Sequence, residues 1–423
     1  MTLDQAGVPA VDGHPSAERG TSAASPVERL VARPLDSFAA LWGREPLLVT
    51  AGERGGDVFD DLFGEAAVDA LVSERGLRTP FLRVARDGST LPNRDFTAGA
   101  GVGAGVADQV DDTRLSTLFA EGSTLVLQGL HRTWPPLVRF VADLAAQLGH
   151  PVQANAYVTP PQSQGFDDHY DVHDVFVLQI SGAKEWRIHP PVLESPLRDQ
   201  PWSDRRDAVA RAAQDPPSIR AVLRPGDCLY LPRGYLHAAT ALGDVSTHLT
   251  LGVHAWTRHA LADELARLVV ARLAEDPRVR ASLEVGLDPD RSTRFAEDVA
   301  LVRERMAAVL ADVATSDVAD SLDGARRRTA RPAPVGPLAQ LRAAHDLTDD
   351  TTLRLRAHLS PALRRRDDGG ADLVSRAGTV RVDPDDVDAV RDLVVTGTAR
   401  AATLGDALAR RLLARAVVVV DDA

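Results

Sequence analysis

The sequence predicts an α+β protein, with a barrel of short antiparallel strands in its middle third and helical segments on either side. Three observations carry this reading. Residues from roughly 151 to 256 alternate at strand period between Gly, Pro and Asp turns, the pattern of an all-β barrel or jelly roll. The segments on both sides place apolar residues at helical spacing, as amphipathic helices require. A chain of 423 residues with 44% hydrophobic and 26% charged content is an ordinary globular protein, long enough for two or three domains.

The first 26 residues, MTLDQAGVPAVDGHPSAERGTSAASP, have neither a basic n-region nor an apolar h-region. They read as a disordered tail and not as a signal peptide. From Val27 to Leu130, short apolar runs (PLLVT, TPFLRVA, STLVLQGL) mix with helical patterns such as FGEAAVDALVSERG. The glycine-rich TAGAGVGAGVADQVDD follows polar residues and leads into aspartates, the wrong context for a phosphate-binding turn, so it reads as a flexible loop. WPPLVRFVADLAAQLG is an amphipathic helix with Leu137, Phe140, Val141, Leu144 and Leu148 at helical spacing. The barrel, closing a region over 27–256, is expected from VQANAYVT, the run around His169, VFVLQIS, KEWRIHP, IRAVLRPGD, CLYLPRG, LHAATA and STHLTLGVH.

Over 257–330, RHALADELARLVVARLAED and RFAEDVALVRERMAAVLADVATS form two long amphipathic helices. Their apolar faces need a partner, either the barrel or a second copy of the chain. A proline-rich connector, RRRTARPAPVGPLAQ, leads to 340–423. Helix patterns (DPDDVDAVRDLVVTG, TLGDALARRLLARA) and strand patterns (DLVSRAG, TVRVD, AVVVVDD) there resemble a winged helix. Asp and Arg nearly balance in this segment, so it lacks the basic face of a DNA binder.

The formal net charge of −12 argues against a general affinity for nucleic-acid phosphates. The single cysteine, Cys228, excludes an intramolecular disulfide and a Cys-based zinc cluster, and fits a reducing cytoplasm. Its setting, CLYLP, is that of a buried inert thiol. No apolar stretch approaches the length of a membrane span.

The chemistry gathers around one residue. Of 48 basic residues, every one but Lys184 is arginine. A lysine in such a chain marks a place where a compact ammonium must meet a single carboxylate and a guanidinium fork does not fit. Fifteen residues upstream lies His169-Tyr170-Asp171. In a strand, residues two apart share a face, so His169 and Asp171 converge while Tyr170 points away. With His237 of GDCLYLPRGYLH, two imidazoles and a carboxylate leave three coordination positions open, the arrangement of non-haem Fe(II) oxygenases. Zinc is the competitor, but structural zinc closes its shell with a fourth ligand, often Cys, and only Cys228 is available. The constellation suggests an iron centre with a 2-oxo acid beside it. His173 and His189 read as neighbouring or surface groups, Trp186 as a core anchor, and the runs Arg326–Arg328 and Arg364–Arg366 as solvated.

Residues Ala154 to His254 resemble the Jumonji-C (JmjC) type of cupin, and in particular the ribosomal oxygenase subfamily. The phrases that carry the resemblance are NAYVTPPQSQGFDDHYDVHDVFVLQISGAKEWRIH, LRPGDCLYLPRGYLHAAT and STHLTLGVH. The resemblance implies a double-stranded β-helix core, an N-terminal αβ segment, a helical dimerisation region and a C-terminal winged helix. It implies Fe(II) ligation by His169, Asp171 and His237, with Lys184 against the distal carboxylate of 2-oxoglutarate. Asn155 and Tyr157 would line the cosubstrate or substrate side, or satisfy backbone groups in the barrel, and His248 is a further candidate. The chain departs from the pattern at Gly252, where relatives often carry a small hydroxyl residue.

The implied activity is that of an Fe(II)- and 2-oxoglutarate-dependent dioxygenase, consuming dioxygen and hydroxylating an Arg or His side chain of a ribosomal protein. A cytoplasmic homodimer with no nucleic-acid or membrane partner is expected. Two alternatives stand beside it: a metal- or ligand-sensing regulator with a winged-helix domain, and an oxygenase of a free amino acid or peptide natural product. The first needs a basic helix that the C-terminal segment lacks. The second is not separable by sequence, because substrate contacts come from loops without a readable code.

Overall fold

The computed structural model describes residues 24–86, 88–285 and 296–421. The tail expected over 1–26 lies, up to residue 23, outside the described residues, and Pro26 already opens the helix Pro26–Val31. The chain divides into two compact units, one spanning Pro26–Ala330 and the other holding Arg331–Ala423.

In chain order the larger unit contains β1 (Leu47–Val49), β2 (Leu82–Arg86), β3 (Ser89–Thr90), β4 (Thr97–Ala98), β5 (Gln109–Val110), β6 (Thr124–Leu127), β7 (Val152–Thr159), β8 (Asp174–His189), β9 (Ile219–Leu223), β10 (Cys228–Leu231) and β11 (Leu236–Val253). Among the described residues, nine of these form one antiparallel sheet in the order β1-β10-β8-β11-β7-β6-β2-β3, with β9 paired to β8. The two-residue pair β4–β5 closes the glycine-rich loop.

The sequence reads β8 and β11 as two strands each, separated at Ser181-Gly182 and at Leu242-Gly243-Asp244. In the structure each runs on unbroken through a bend, over 16 and 18 residues. The first half of β8 pairs with β10 and the second half of β11; its second half pairs with β9 and the first half of β11. Gly182 sits at the corner with φ 64°, where a Cβ would run into the carbonyl of Val245. The register of β11 against β8 shifts opposite it, between Leu242 and Thr247. A corner built from glycine and a shifted register lets both strands cross from one layer to the other while keeping their ladder. That crossing closes the barrel.

Apolar residues of the strands, among them Ala154, Ala156, Phe176, Leu178, Leu249 and Leu251, share one core with the helix Pro135–Leu148. This helix buries Leu137, Phe140, Val141 and Leu144, as its spacing predicts, while Leu148 packs at the margin. It starts on Pro135 and ends at Gly149 with φ 73°, the usual asymmetry of helix ends. Ahead of the barrel, FGEAAVDALVSERG folds as the helix Glu65–Asp69 running into a π-helical turn, Ala70–Glu74.

Among the described residues up to Ala330, three helices follow the barrel where two are expected: Arg258–Leu273, Ala296–Asp312 and Thr315–Thr329. The expected start of the second, at Arg294, lies outside the described residues. Val269 is buried within the unit, whereas Val270 and Leu310 are 59% and 50% exposed. The first two helices leave apolar side chains uncovered.

The smaller unit has strands β12 (Thr352–Leu355), β13 (Ala362–Arg365), β14 (Ala371–Ser375), β15 (Gly378–Val382), β16 (Thr398–Arg400) and β17 (Val418–Val420). β13-β14-β15 form a meander, and β12 lies between β16 and β17. Leu353, Leu373, Val390, Leu393 and Leu412 share one core with the helices Val387–Thr396 and Asp406–Ala414. The sequence pattern reads as helices followed by a ribbon; the structure instead puts the meander before these helices, and brings the last strand back to β12. Many arginines here are paired to aspartates, as in Arg381–Asp368, Arg391–Asp388, Arg410–Asp406 and Arg411–Asp386. Among the described residues no helix is long and apolar enough to cross a membrane.

Candidate metal centre

His237 enters β11 one residue after its start, delivered by the turn Pro232–Tyr235. Gly234 carries φ 93° there, and a Cβ would come within 2.5 Å of the Leu193 carbonyl oxygen. The turn is pinned by Asp174, fully buried, whose carboxylate accepts from the Arg233 N–H (2.9 Å) and the Tyr230 hydroxyl (3.2 Å). His169 does not lie in a regular strand, as expected, but in an extended segment with one isolated bridge to His237. The His237 N–H donates to the His169 carbonyl (2.8 Å), and the His169 N–H donates back (3.2 Å). The Gly234 N–H donates to the Asp171 carbonyl (3.0 Å). These bonds hold the extended backbone in which residues two apart share a side. Tyr170 accordingly points away, buried against Val209 and Leu236, its hydroxyl donating to the Gln200 carbonyl (3.0 Å).

One ligand atom from each of His169, Asp171 and His237 lies within 4.8 Å of the other two. The His237 Nε2 is 3.7 Å from an Asp171 carboxylate oxygen, and the two imidazole centroids are 4.4 Å apart. Each ring is set by its other nitrogen. His169 Nδ1 donates to the Asp167 carbonyl at 2.7 Å and His237 Nδ1 to the Tyr235 carbonyl at 3.1 Å. That leaves both Nε2 lone pairs free to bind a metal, the outer-shell arrangement that orients histidine ligands. Burial, and then the neighbouring His169, push His237 down to about 4, so it is neutral near pH 7. The Asp171 carboxyl is held below its ordinary value: burial opposes ionisation, but His173, His237 and His169 outweigh it. Two imidazoles and one carboxylate suit a divalent first-row metal with positions left open.

Lys184 projects from β8 into the same narrow cavity, which also takes in Tyr157, Trp186, His237 and His248. Only 3% of Lys184 is exposed. Its Nζ donates to Thr159 Oγ1 at 2.9 Å and lies 3.4 Å from His248 Nδ1, with no carboxylate in ion-pair range among the described residues. Burial pulls the ammonium down to about 7. His248 stacks on Tyr157 with centroids 4.9 Å apart and planes 3° from parallel, and Trp186 meets it edge-on at 5.4 Å. Burial, followed by Lys184 and His237, pushes His248 well below its ordinary value. A buried ammonium held only by neutral groups is costly unless an anion joins it. The cavity therefore places a buried cation beside a set of metal-ligating side chains.

Tyr157, Lys184 and His248 are thus brought together with the triad, whereas Asn155 is not. Its side chain accepts from the Gly129 N–H at 3.1 Å, fastening β7 to the loop before the helix Pro135–Leu148. Trp186, read as a core anchor, packs in the core and also walls the cavity. His173 sits beside Gln153 and His254, and His189 lies 3.9 Å from Asp168; neither joins the triad. At Gly252 a Cβ would come within 3.1 Å of the His173 ring and of Gln153, so those side chains occupy the room a hydroxyl residue would need. The Cys228 thiol is buried and raised to about 12, hence inert.

Sequence reasoning missed Thr159, although it follows Tyr157 by two on the same strand face, so the argument that selected Asn155 and Tyr157 reaches it in one more step. It also missed Phe166 and Trp202, half-buried rings 5.9 and 6.3 Å from His169. Phe166 lies in an irregular segment and Trp202 opens the short 3-10 helix Trp202–Arg205, neither of which carries a period to read.

A family model described as the JmjC domain matches residues 134–261. Over 228 residues the chain is 31% identical to Ribosomal oxygenase 1 of Homo sapiens, a match covering 51% of this chain and 32% of the relative. Over 126 residues it is 40% identical to the Drosophila persimilis protein named bifunctional lysine-specific demethylase and histidyl-hydroxylase NO66, covering 29% of this chain and 18% of that one. The chain spans 39% or less of the length of the curated relatives it matches. The structure of YcfD, a ribosomal oxygenase from Escherichia coli, in complex with cobalt and 2-oxoglutarate, aligns over 93% of this chain and 99% of that one. Its TM-score is 0.51 at 17% identity, a likeness of fold.

Proposed function

We propose that this chain, which carries a JmjC domain and is a homologue of the ribosomal oxygenases, is an Fe(II)- and 2-oxoglutarate-dependent oxygenase that hydroxylates a protein side chain. The observation that carries this reading is the pairing of an open two-histidine, one-carboxylate triad with a buried, anion-free lysine in one cavity. Both requirements of the cofactor pair are met: donors for the ion, and a cation for the far end of a dicarboxylate.

When bound, Fe(II) with 2-oxoglutarate supplies the oxidising power: dioxygen converts the 2-oxo acid to succinate and CO2, and one oxygen atom remains for a C–H bond. The chain's own residues do the rest. His169 and His237 offer Nε2 because Asp167 and Tyr235 hold their Nδ1 protons, and Asp171 supplies the charge that favours a cation. Lys184 neutralises the distal carboxylate while Thr159 fixes where its ammonium points. Tyr157, His248 and Trp186 wall the cavity with rings and keep water from the anion. Phe166 and Trp202 would orient an incoming side chain beside His169.

The target side chain in this reading is an Arg or His of a ribosomal protein. The net charge of −12 favours approach to a basic partner, and one relative is itself named a histidyl-hydroxylase. The smaller unit is read as winged-helix-like without DNA affinity, since so many of its arginines are spent on aspartates. The protein would work in the cytoplasm as a homodimer joined through exposed apolar residues of the helices after the barrel, among them Val270 and Leu310. Val269, already buried in its own chain, is the wrong place to test this; Val270→Glu should reduce a dimer mass in light scattering to a monomer without loss of folding. A wild-type monomer at micromolar concentration would overturn the dimer.

Anaerobic loading with Fe(II) and 2-oxoglutarate, followed by air, tests the activity. Succinate should form, with a gain of one oxygen atom on Arg or His of a ribosomal-protein peptide. No succinate above a metal-free control would overturn the reading.

A further inference from the structure

The strands that line the cavity have a second face. Leu125 of β6, Val158 of β7 and Thr247 of β11 are register partners in a row, one residue off from the set that faces the lysine. With Val72, Leu115 and Phe119 they line a groove of about 510 Å³ on the outer surface of the larger unit. Its rim carries four exposed carboxylates, Glu65, Asp69, Asp112 and Asp244. None of the four has an ion-pair partner among the described residues, unlike the nearby Asp57, which is held by Arg29 and Arg54.

On the floor lies an independent sign of a missing partner. Thr247 is fully buried, and its hydroxyl has no hydrogen-bond partner. A buried hydroxyl without a partner costs roughly 1–3 kcal/mol, so its place on a groove floor is best explained by an occupant that bears a donor. Apolar walls, an anionic rim and a lone acceptor together describe one kind of guest: an apolar side chain flanked by guanidinium or ammonium groups.

We propose that this groove is a docking site, remote from the metal centre, for an arginine- or lysine-bearing apolar segment of a basic protein. The oxygenase reading enters only in identifying that protein with the hydroxylation substrate. The groove would then hold the substrate by one segment while another reaches the cavity, raising its effective concentration there.

The test uses the full chain and a fluorescein-labelled hexapeptide alternating arginine with leucine and phenylalanine, alongside its glutamate-for-arginine counterpart. In fluorescence anisotropy the cationic peptide should bind and the anionic one should not, with affinity falling as salt rises. Asp69→Lys combined with Asp112→Lys should weaken binding at least tenfold, and Val72→Trp, which fills the groove, should do the same. Ser73→Arg and Ser116→Arg change exposed rim positions and should weaken binding in the same sense even if the other variants fold poorly. His169→Ala should bind the peptide as the wild type does, so failure of the oxygenase reading leaves this result untouched.

Three outcomes would overturn the proposal. The first is equal binding by all groove variants. The second is loss of binding in His169→Ala, which would put the peptide at the metal centre. The third is a fall in oligomeric mass with Val72→Trp, which would make a second copy the occupant.

Discussion

Tyr157 and Val158, and opposite them His248 and Thr247, are neighbours in the chain that live in two different environments. On the inner face, Tyr157, Thr159 and His248 surround a buried ammonium with neutral groups. On the outer face, Val158, Leu125 and Thr247 floor an apolar groove rimmed by carboxylates that have no ion-pair partner among the described residues. The inner face gathers a cation that waits for an anion, and the outer face gathers anions that wait for a cation. Strand alternation separates them on β7 and β11, where the two sets lie one residue apart. A change on one face should therefore leave the other working, and that independence can be tested.

The largest effect belongs to the triad. His169→Ala or Asp171→Ala should lower succinate formation by at least about 100-fold and weaken metal binding, since even outer-shell changes commonly cost 10–100-fold. The fold should persist by circular dichroism. Succinate formation at the wild-type rate in either variant would break the assignment of the inner face.

Next comes Lys184. Replacement by Ala should raise the 2-oxoglutarate requirement at least tenfold, because a buried charge-assisted pair contributes about 1.5–3 kcal/mol. Lys184→Arg should also impair binding, since the longer fork does not fit between Thr159 and His248. Titrating 2-oxoglutarate in both variants reads the effect directly. An unchanged requirement in both would remove the lysine from cosubstrate binding.

A third effect is visible in pH. Burial lowers the Lys184 ammonium to about 7, below its ordinary 10.5, so between those values the unfolded chain holds a proton that the free folded site has released. Stability of the ligand-free protein should rise with pH across that window through this group, and Lys184→Met should flatten the slope. Binding of a dicarboxylate reverses the preference and restores the proton. At pH 8 the Fe(II)-loaded protein should thus take up a proton with 2-oxoglutarate, and affinity should fall as pH rises above about 7, by up to about tenfold per unit. Calorimetry in two buffers of different ionisation enthalpy measures the uptake. No difference between the buffers would show the lysine already charged.

The smallest effect sharpens the comparison most. Thr159→Val removes one hydrogen bond to Lys184 and should weaken 2-oxoglutarate by about fivefold, near 1 kcal/mol. Val158→Thr, the adjacent residue on the other face, should leave 2-oxoglutarate binding unchanged. Equal losses in the two variants would mean that the faces are coupled.

Much of the inner face was legible because its residues sit at short, fixed spacings. His169 and Asp171 are two apart, and Lys184 stands out by composition alone, although Thr159, two after Tyr157, was missed. The outer groove was not legible. Its walls come from β6, β7, β11 and helices before the barrel, and Leu125, Val158 and Thr247 read in sequence as ordinary strand residues. Asn155 shows the opposite failure: it shares a strand face with Tyr157, yet its side chain turns to the Gly129 backbone, a partner 26 positions away.

The sequence by itself determined what depends on near neighbours in the chain: strand and helix periods, the triad's residue types and the lone lysine. Only the tertiary structure decided what depends on closure. The bends in β8 and β11 carry two long strands across the barrel, and that crossing sets His169 against His237 through a single bridge. It also places Lys184 against Thr159 and His248, from two other strands, and leaves Thr247 facing outward without a partner. Backbone preferences are local, whereas the burial of a charge or a hydroxyl is fixed by elements far apart in sequence, so the demand for an absent partner appears only once the barrel is closed.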